Sequence, residues 1–234
     1  MYKNDWQDFI YHTSWFIKKQ DIVQIGKTEY ASYSIFKPSE EFEIKYPTFK
    51  ELLCSARVTE IRVNSDNYYL FGWTNNQGES FGWLCLPSDG SPTKLELHQD
   101  HLLLISSFGG IIEKWNEPED SWILNYDSVL CSEKCSLGFN GGEEYIHYMC
   151  EDHDVSPLIK SEEYISFAFE ANGNSSIYHR ESGKVLMFAP DHCFDFITPL
   201  EGFPEYTLYK FNDCTDFRGW VEHIASQYLV AKYR

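Results

Sequence analysis

Residues 68–87, with the sequence YYLFGWTNNQGESFGWLCLP, constrain the fold more than any other part of the chain. Two Phe-Gly-Trp triplets, at 71–73 and 81–83, flank Asn75 and Gly78, which tolerate the positive φ of a hairpin turn. The triplets are therefore predicted to face each other across an antiparallel ladder as aromatic pairs. Three residues repeated once do not indicate a solenoid or a propeller. This segment predicts a β-hairpin.

The C-terminal third carries a second series of strand and turn patterns. Residues 164–171, 176–179 and 184–189 are rich in β-branched and aromatic residues, which favours strands. Asn-Gly-Asn at 172–174 and Glu-Ser-Gly at 181–183 separate them, and both triplets are typical of hairpin turns. The three strands are therefore predicted to form an antiparallel meander.

Amphipathic helices are predicted near both ends of the chain. The first is expected to span about four turns, with Asn4 or Asp5 as its cap. Its apolar residues recur at three- and four-residue intervals: Trp6, Phe9, Ile10, Phe16 and Ile17. The last helix is expected to be capped by Asp213 or Thr215. Its apolar stripe consists of Phe217, Trp220, Val221, Ile224 and Tyr228.

Shorter elements are predicted between these regions. Residues 30–36 and 60–64 favour strands, and prolines mark the connection between them. The apolar run 102–105 fits a short buried helix that a following Gly-Gly pair can end in the left-handed conformation. A strand is expected at 111–115.

The mixture of helices and hairpin-linked strands predicts an α+β protein. Hydrophobic residues make up 43% of the 234 residues and aromatic residues 17%, which provides enough apolar material for a large core. Residues 87–92, Pro-Ser-Asp-Gly-Ser-Pro, are read as a loop because six residues are short for an interdomain linker. Residues 1–234 are therefore predicted to form a single domain, with a helix and hairpin elaboration at 1–92.

The segment ISFAFEANGNSSIYHRESGKVLMFAPDHCFDFITPLEG, the terminal TDFRGWVEHIASQYL and an earlier helix followed by Phe-Gly-Gly resemble the SUKH superfamily. This superfamily groups yeast regulators of cell-wall synthesis and killer-toxin resistance with many bacterial toxin-immunity proteins. The resemblance covers roughly residues 95–230, and an acidic insert at 117–157 departs from it. It implies a SUKH-like fold over 93–234, with a curved mixed or antiparallel sheet and helices packed on one side. It also implies binding to a toxin, often a nuclease.

The charge balance narrows the classes of partner. The chain has 19 basic and 36 acidic residues and a formal net charge of −17, which repels phosphate backbones and anionic membranes. Neither nucleic acid nor a membrane surface is an expected partner. A basic protein would be attracted instead, although many acidic proteins owe their charge to solubility alone.

The acidic middle of the chain is the predicted partner-binding region. Its carboxylates surround Trp115, Trp122 and Tyr145, and together they supply steering charge and aromatic anchors of the kind found at interface hot spots. The alternative is that both tryptophans belong to the core and the acids are merely solvated. The predicted partner-binding residues are Glu117, Glu119, Asp120, Glu143, Glu144, Glu151, Asp152 and Asp154.

The location is predicted to be cytoplasmic. The first residues, MYKNDWQDFIYH, lack the features of a signal peptide, and no apolar stretch approaches the ~20 residues that would span a bilayer. The seven cysteines are odd in number and have no framework spacing, which fits free thiols in a reducing compartment.

Two groups of residues are weak candidates for chemistry. His147, Cys150 and His153 lie three residues apart, but a structural zinc site normally needs four ligands, and the spacing of Cys131 and Cys135 is one residue too long for the commonest knuckle. His192 and Cys193 are neighbours that would point to opposite faces of an extended chain, so the imidazole could not activate the thiol. Neither a metal nor a cofactor is expected.

The sequence therefore predicts a non-catalytic binding protein, with an immunity protein that neutralises a basic toxin as the leading hypothesis. The alternatives are a regulatory scaffold for protein interactions and a small enzyme that depends on Cys193 or on a metal at His147 and His153.

Overall fold

The protein is described by a computed structural model over residues 4–31, 35–88, 95–156, 159–191 and 194–234. Its helices are α1 Asp5–His12, α2 Glu40–Lys45, α3 Pro47–Cys54, α4 Gln99–Ile105, α5 Glu143–Asp152 and α6 Phe217–Tyr233. Its strands are β1 Val23–Tyr30, β2 Arg57–Val63, β3 Asp66–Thr74, β4 Ser80–Cys85, β5 Ile111–Trp115, β6 Tyr126–Val129, β7 Ser136–Leu137, β8 Tyr164–Glu170, β9 Ser175–His179, β10 Val185–Phe188, β11 Ile197–Pro199 and β12 Leu208–Phe211. The predicted α+β class is confirmed. Within the described ranges, no helix combines the length and apolar character needed to cross a membrane.

The chain divides into two compact units. Unit 1 comprises Met1–Gly90, Leu104–Leu124 and Val221–Arg234. Unit 2 comprises Ser91–Leu103 and Asn125–Trp220. Unit 1 therefore contains almost all of the predicted N-terminal elaboration together with two later segments of the chain.

The strands of unit 1 pair antiparallel in the order β1-β2-β3-β4-β5. The predicted hairpin is formed by β3 and β4, in which Phe71 lies opposite Trp83 and Trp73 lies opposite Phe81. Gly78 has a φ of +84° in the turn, a conformation that glycine adopts without strain. The prediction that the two triplets face each other is confirmed.

An aromatic core covers this hairpin. Trp73 and Trp83 are fully buried, and the Trp83 ring centroid lies 4.9 Å from that of Trp73 and 4.6 Å from that of Tyr228. A side chain at Gly82 would collide with the ring of Trp115. Glycine at this position therefore allows the indole to pack directly on the backbone of β4.

Helix α1 begins as predicted and ends early. The Asn4 side chain caps it, but the helix stops at His12, so the predicted continuation through residues 16–17 is wrong. Thr13 donates its hydroxyl hydrogen to the Phe9 carbonyl at 2.7 Å, a local bond that competes with helix continuation. Residues 16 and 17 nevertheless pack against the same apolar cluster as Phe9.

The strand predicted at 30–36 is wrong in the described residues. The strand is Val23–Tyr30 instead, and residues 31 and 35–36 lie beyond its end. Residues 32–34 lie outside the described residues. This segment pairs antiparallel with β2. The strand predicted at 60–64 is confirmed within Arg57–Val63.

Helices α2 and α3 occupy a region where the sequence predicted only a connection. Pro47 stands in the first turn of α3, where its missing N–H costs nothing. The residue before α3 provides no side-chain cap. The Glu222 carboxylate replaces it by accepting the backbone N–H groups of Thr48 and Phe49, each at 3.0 Å. The start of α3 is therefore held by a residue distant in the sequence.

The strands of unit 2 pair antiparallel in the order β6-β8-β9-β10-β12-β11, with β7 beside β8. The predicted meander is formed by β8, β9 and β10 and is confirmed. Gly173 and Gly183 have φ values of +98° and +68° in its two turns. One face of these strands contributes to a buried cluster of Phe139, Ile146, Cys150, Tyr164, Ile177, Leu186, Phe188 and Leu208.

The remaining helix predictions are confirmed in part. Helix α4 contains the predicted run 102–105, but it ends at Ile105, before the Gly-Gly pair predicted to end it, and Leu102 is exposed rather than buried. The predicted stripe of α6 is buried along its whole length. The predicted cap of α6 is wrong: neither Asp213 nor Thr215 caps it, because Asp216 accepts the Gly219 N–H at 2.8 Å. An acidic residue directly before the first turn also suits the helix dipole.

Candidate protein-binding site

The predicted acidic residues of unit 1 are largely engaged in ion pairs. Glu117 is partly buried, and its carboxylate lies 3.9 Å from the Lys114 ammonium group. Asp120 accepts a hydrogen bond from Arg234 at 2.8 Å. Glu119 is exposed. These residues contribute charge to the surface of unit 1, but two of the three carboxylates already have a cationic neighbour.

The other five predicted residues lie on helix α5 of unit 2 or directly after it. Glu143 and Glu144 stand in the first turn, where negative charge is favoured by the helix dipole. Glu143 also accepts the Phe139 N–H at 2.7 Å, so its carboxylate fixes the start of the helix. Ile146 and Cys150, one turn apart, enter the buried cluster of unit 2. These contacts determine which side of α5 faces solvent.

The solvent side of α5 combines an exposed aromatic ring with carboxylates. The Tyr148 side chain is 64% exposed. Glu144 precedes it by four residues, and Glu151 and Asp152 follow by three and four, so all three lie on the same side of the helix. We call these four residues the α5 acidic face. Asp154, also exposed, has a φ of +54° just beyond the helix.

His147 lies beside this face. Its Nε2 lies 3.4 Å from the Glu151 carboxylate, and both side chains are about two-thirds exposed. An exposed pair of this kind contributes little to stability. The face presents an exposed aromatic ring beside three carboxylates, which suits a basic protein surface better than a small substrate.

The aromatic residues predicted as interface anchors lie elsewhere. Trp115 and Trp122 are buried, so the alternative prediction that they belong to the core is confirmed. Tyr145 is partly buried and packs edge-on against Phe188 at a centroid distance of 6.1 Å. Tyr148, which the sequence analysis did not single out, is the exposed ring among the carboxylates.

The candidate metal ligands do not converge. Cys150 is fully buried whereas His147 is exposed, and the His153 ring nitrogen Nδ1 is bonded to the Met149 carbonyl at 2.8 Å. Across the part of the chain that the structure describes, no three potential ligands among His, Cys, Asp and Glu come together.

Cys131 is a buried free thiol and Cys135 a partly buried one. The Cys135 thiol donates to the Cys131 carbonyl at 3.4 Å. Burial raises the pKa of Cys131 to about 12. The thiolate, which is the form that attacks a substrate or binds a metal, is therefore disfavoured at this residue. His192 and Cys193, the candidate catalytic pair, lie outside the described residues.

The chain matches no family model, no curated protein and no solved structure with which it was compared. The α5 acidic face is therefore identified from its geometry and charge alone.

Proposed function

We propose that this protein is a non-catalytic binding protein that neutralises a basic toxin in the cytoplasm, with the α5 acidic face as its contact surface. The observation that carries the proposal is Tyr148, an exposed aromatic ring with carboxylates one helical turn away on each side. Exposed tyrosines within a charged rim are typical of interface hot spots. The net charge of −17 adds long-range attraction for a basic partner and repulsion of nucleic acid.

Two further observations support the proposal. The meander of unit 2 and the closing helix with buried Phe217 and Trp220 follow the order of elements that carries the SUKH resemblance. The described cysteines are free thiols, in keeping with a reducing compartment. A toxin gene is expected beside the gene for this protein.

The test uses the catalytic domain encoded by that neighbouring gene. Its affinity for the full-length protein is measured by titration calorimetry at two salt concentrations, and growth is followed during co-expression. Tyr148→Ala is expected to weaken binding at least tenfold, because hot-spot side chains contribute about 2 kcal/mol or more. The double variant Glu144→Lys/Glu151→Lys is expected to weaken binding further and to reduce its salt dependence.

A matched control separates the face from the overall charge. The control variant is Glu41→Lys/Glu51→Lys, which changes one residue in the first turn of α2 and one residue in α3. Like the test pair in α5, it replaces two helical glutamates. Each Glu→Lys replacement adds two charges, so both double variants move the net charge from −17 to −13. Equal loss of affinity in both pairs would refute the α5 acidic face. Undiminished binding by Tyr148→Ala would do the same, and binding without rescue of growth would favour a regulatory scaffold.

A further inference from the structure

Unit 2 contains a cleft that the protein-binding proposal does not use. Its volume is about 480 Å³, within the range of small-molecule sites, which is roughly 300–1,000 Å³. The polar and charged residues that matter for its chemistry are Glu96, His98, Glu163, His179, Arg180 and Glu181. They come from the segment before α4, from the residue directly before β8, from the end of β9 and from the turn after β9.

The His98 ring offers a hydrogen-bond donor to this cleft. The Asp100 backbone N–H points at Nδ1 at 3.3 Å, whereas the Asp100 carboxylate lies beyond hydrogen-bond distance at 3.8 Å. Nδ1 therefore accepts, and in the neutral ring the hydrogen resides on Nε2. The side chain is 10% exposed and packs over Gly183, where a Cβ would lie 2.9 Å from the ring. Among the described residues, no group accepts the Nε2–H.

The His179 ring is fixed in the same tautomer. The backbone N–H groups of Glu181 and Ser182 both donate to its Nδ1 at 3.3 Å. Its Nε2–H is directed to the side of Glu163, but the carboxylate oxygen lies 3.8 Å away. This distance is too long for a direct hydrogen bond and leaves the donor available to a ligand.

Arg180 lines the cleft beside these two rings. Its Nη2 donates to Glu96 at 2.7 Å and its Nη1 to the Glu162 carbonyl at 3.3 Å, so the guanidinium group is held in one orientation. Its Nε is enclosed by protein atoms. A ligand in the cleft therefore reaches the two imidazole N–H groups and not this atom.

The same cleft also carries negative charge. Glu163 and Glu181 line it. The Glu163 carboxylate lies 3.7 Å from the ammonium group of the exposed Lys160, and the Glu96 carboxylate lies 2.7 Å from Arg180. A simple anion would use the two N–H donors but would meet the two glutamates. A simple cation would suit the glutamates but would leave the donors unsatisfied. A ligand with both an acceptor and a cationic group satisfies both sets.

We propose that this cleft binds a small zwitterion of the α-amino-acid class. Its carboxylate accepts the N–H groups of His98 and His179, and its ammonium group lies against Glu163 and Glu181. The inference does not depend on the protein-binding proposal, because the α5 acidic face shares no residue with the cleft.

The test measures ligand binding to the full-length protein. The twenty L-amino acids, each at 5 mM, are screened by thermal shift, and any that raise the melting temperature are titrated by calorimetry. At least one is expected to bind with a Kd below 1 mM. Its carboxamide, which lacks the carboxylate, and its N-acetyl derivative, which lacks the ammonium group, are each expected to bind at least tenfold more weakly.

Variants then assign the binding to the cleft. His98→Phe keeps a ring over Gly183 and removes the donor, and Glu163→Gln removes one charge at a half-exposed position that tolerates change. Each is expected to weaken binding at least tenfold, whereas His147→Gln on α5 is expected to leave it unchanged. The proposal is overturned if no amino acid binds with a Kd below 10 mM or if the carboxamide binds as tightly as the amino acid. It is also overturned if Glu163→Gln binds the amino acid as tightly as the wild type does. Because Glu163 lies at the surface, Glu163→Gln is expected to fold, so its affinity for the amino acid can be measured even if His98→Phe does not fold.

Discussion

Acid is expected to destabilise unit 2 through a single buried histidine. His101 on α4 is fully buried, and its ring packs at a tilt against Phe217 at a centroid distance of 4.7 Å. Its ring nitrogens lie 3.0 Å from the Tyr178 hydroxyl and 3.5 Å from the Leu130 carbonyl. Because the carbonyl can only accept, the neutral ring donates from Nε2 and accepts from Tyr178 at Nδ1. Burial lowers the pKa of His101 from 6.5 to about 4.

The size of the effect follows from this difference in pKa. The unfolded chain binds the proton below about pH 6.5, whereas the folded protein resists it down to about pH 4. The contribution of the neutral ring to stability is therefore fully present above pH 6.5 and is lost as the pH falls through this window. Between pH 7.5 and pH 5 the loss is about 2 kcal/mol, and below pH 4 it reaches about 3 kcal/mol.

The assay is urea unfolding of the wild type and of His101→Gln at pH 7.5, 6.5, 5.5 and 5.0. Glutamine retains one donor and one acceptor but does not titrate, so the variant is less stable at every pH and loses less stability on acidification. The change in unfolding free energy from pH 7.5 to pH 5 is expected to be smaller in the variant by about 2 kcal/mol. Parallel curves for wild type and His101→Gln would refute the reasoning.

Two further predictions concern backbone packing in unit 1. Gly82→Ala forces a Cβ into the ring of Trp115 and should cost more than about 3 kcal/mol in urea unfolding, whereas Gly78→Ala meets only open space and should cost about 1 kcal/mol for its positive φ; similar losses would contradict the packing argument. Glu222→Ala leaves the first N–H groups of α3 without their acceptor and should lower the unfolding free energy by about 1–3 kcal/mol, which thermal unfolding would detect. An unchanged melting temperature would show that water serves this helix end equally well.

The parts of the fold that could be predicted from the sequence are those fixed by neighbouring residues. The hairpin of β3 and β4 and the meander of β8 to β10 follow from side-chain alternation and from glycines in turns, both of which are local patterns. Helix α1 ends at His12 although the apolar period continues, because the backbone leaves helical geometry at Thr13, whose N–H and hydroxyl both donate to the Phe9 carbonyl. The start of α3 depends on Glu222, which lies far along the chain and leaves no local signal.

The cleft of unit 2 shows the same limit at the level of chemistry. The sequence places His98 and His179 in separate elements, and neither stands in a ligand motif. What makes them a pair is that backbone N–H groups occupy Nδ1 of both rings, and such tautomer selection needs the folded backbone. The composition predicted an acidic protein with a protein partner, which stays a prediction, and it gave no sign of the proposed ligand cleft.

Helical arithmetic, by contrast, places Tyr148 on the outer side of α5. Each residue turns the helix by roughly 100°, so Tyr148 lies about 200° from Ile146 and from Cys150, the two residues that enter the core. A ring opposite the core adds little to the packing of unit 2. Tyr148→Ala is therefore expected to change the unfolding free energy by no more than about 0.5 kcal/mol, as measured by urea unfolding. If stability is unchanged while affinity for the toxin domain falls tenfold, the loss belongs to the interface; a loss of several kcal/mol in stability would instead assign the ring to the fold.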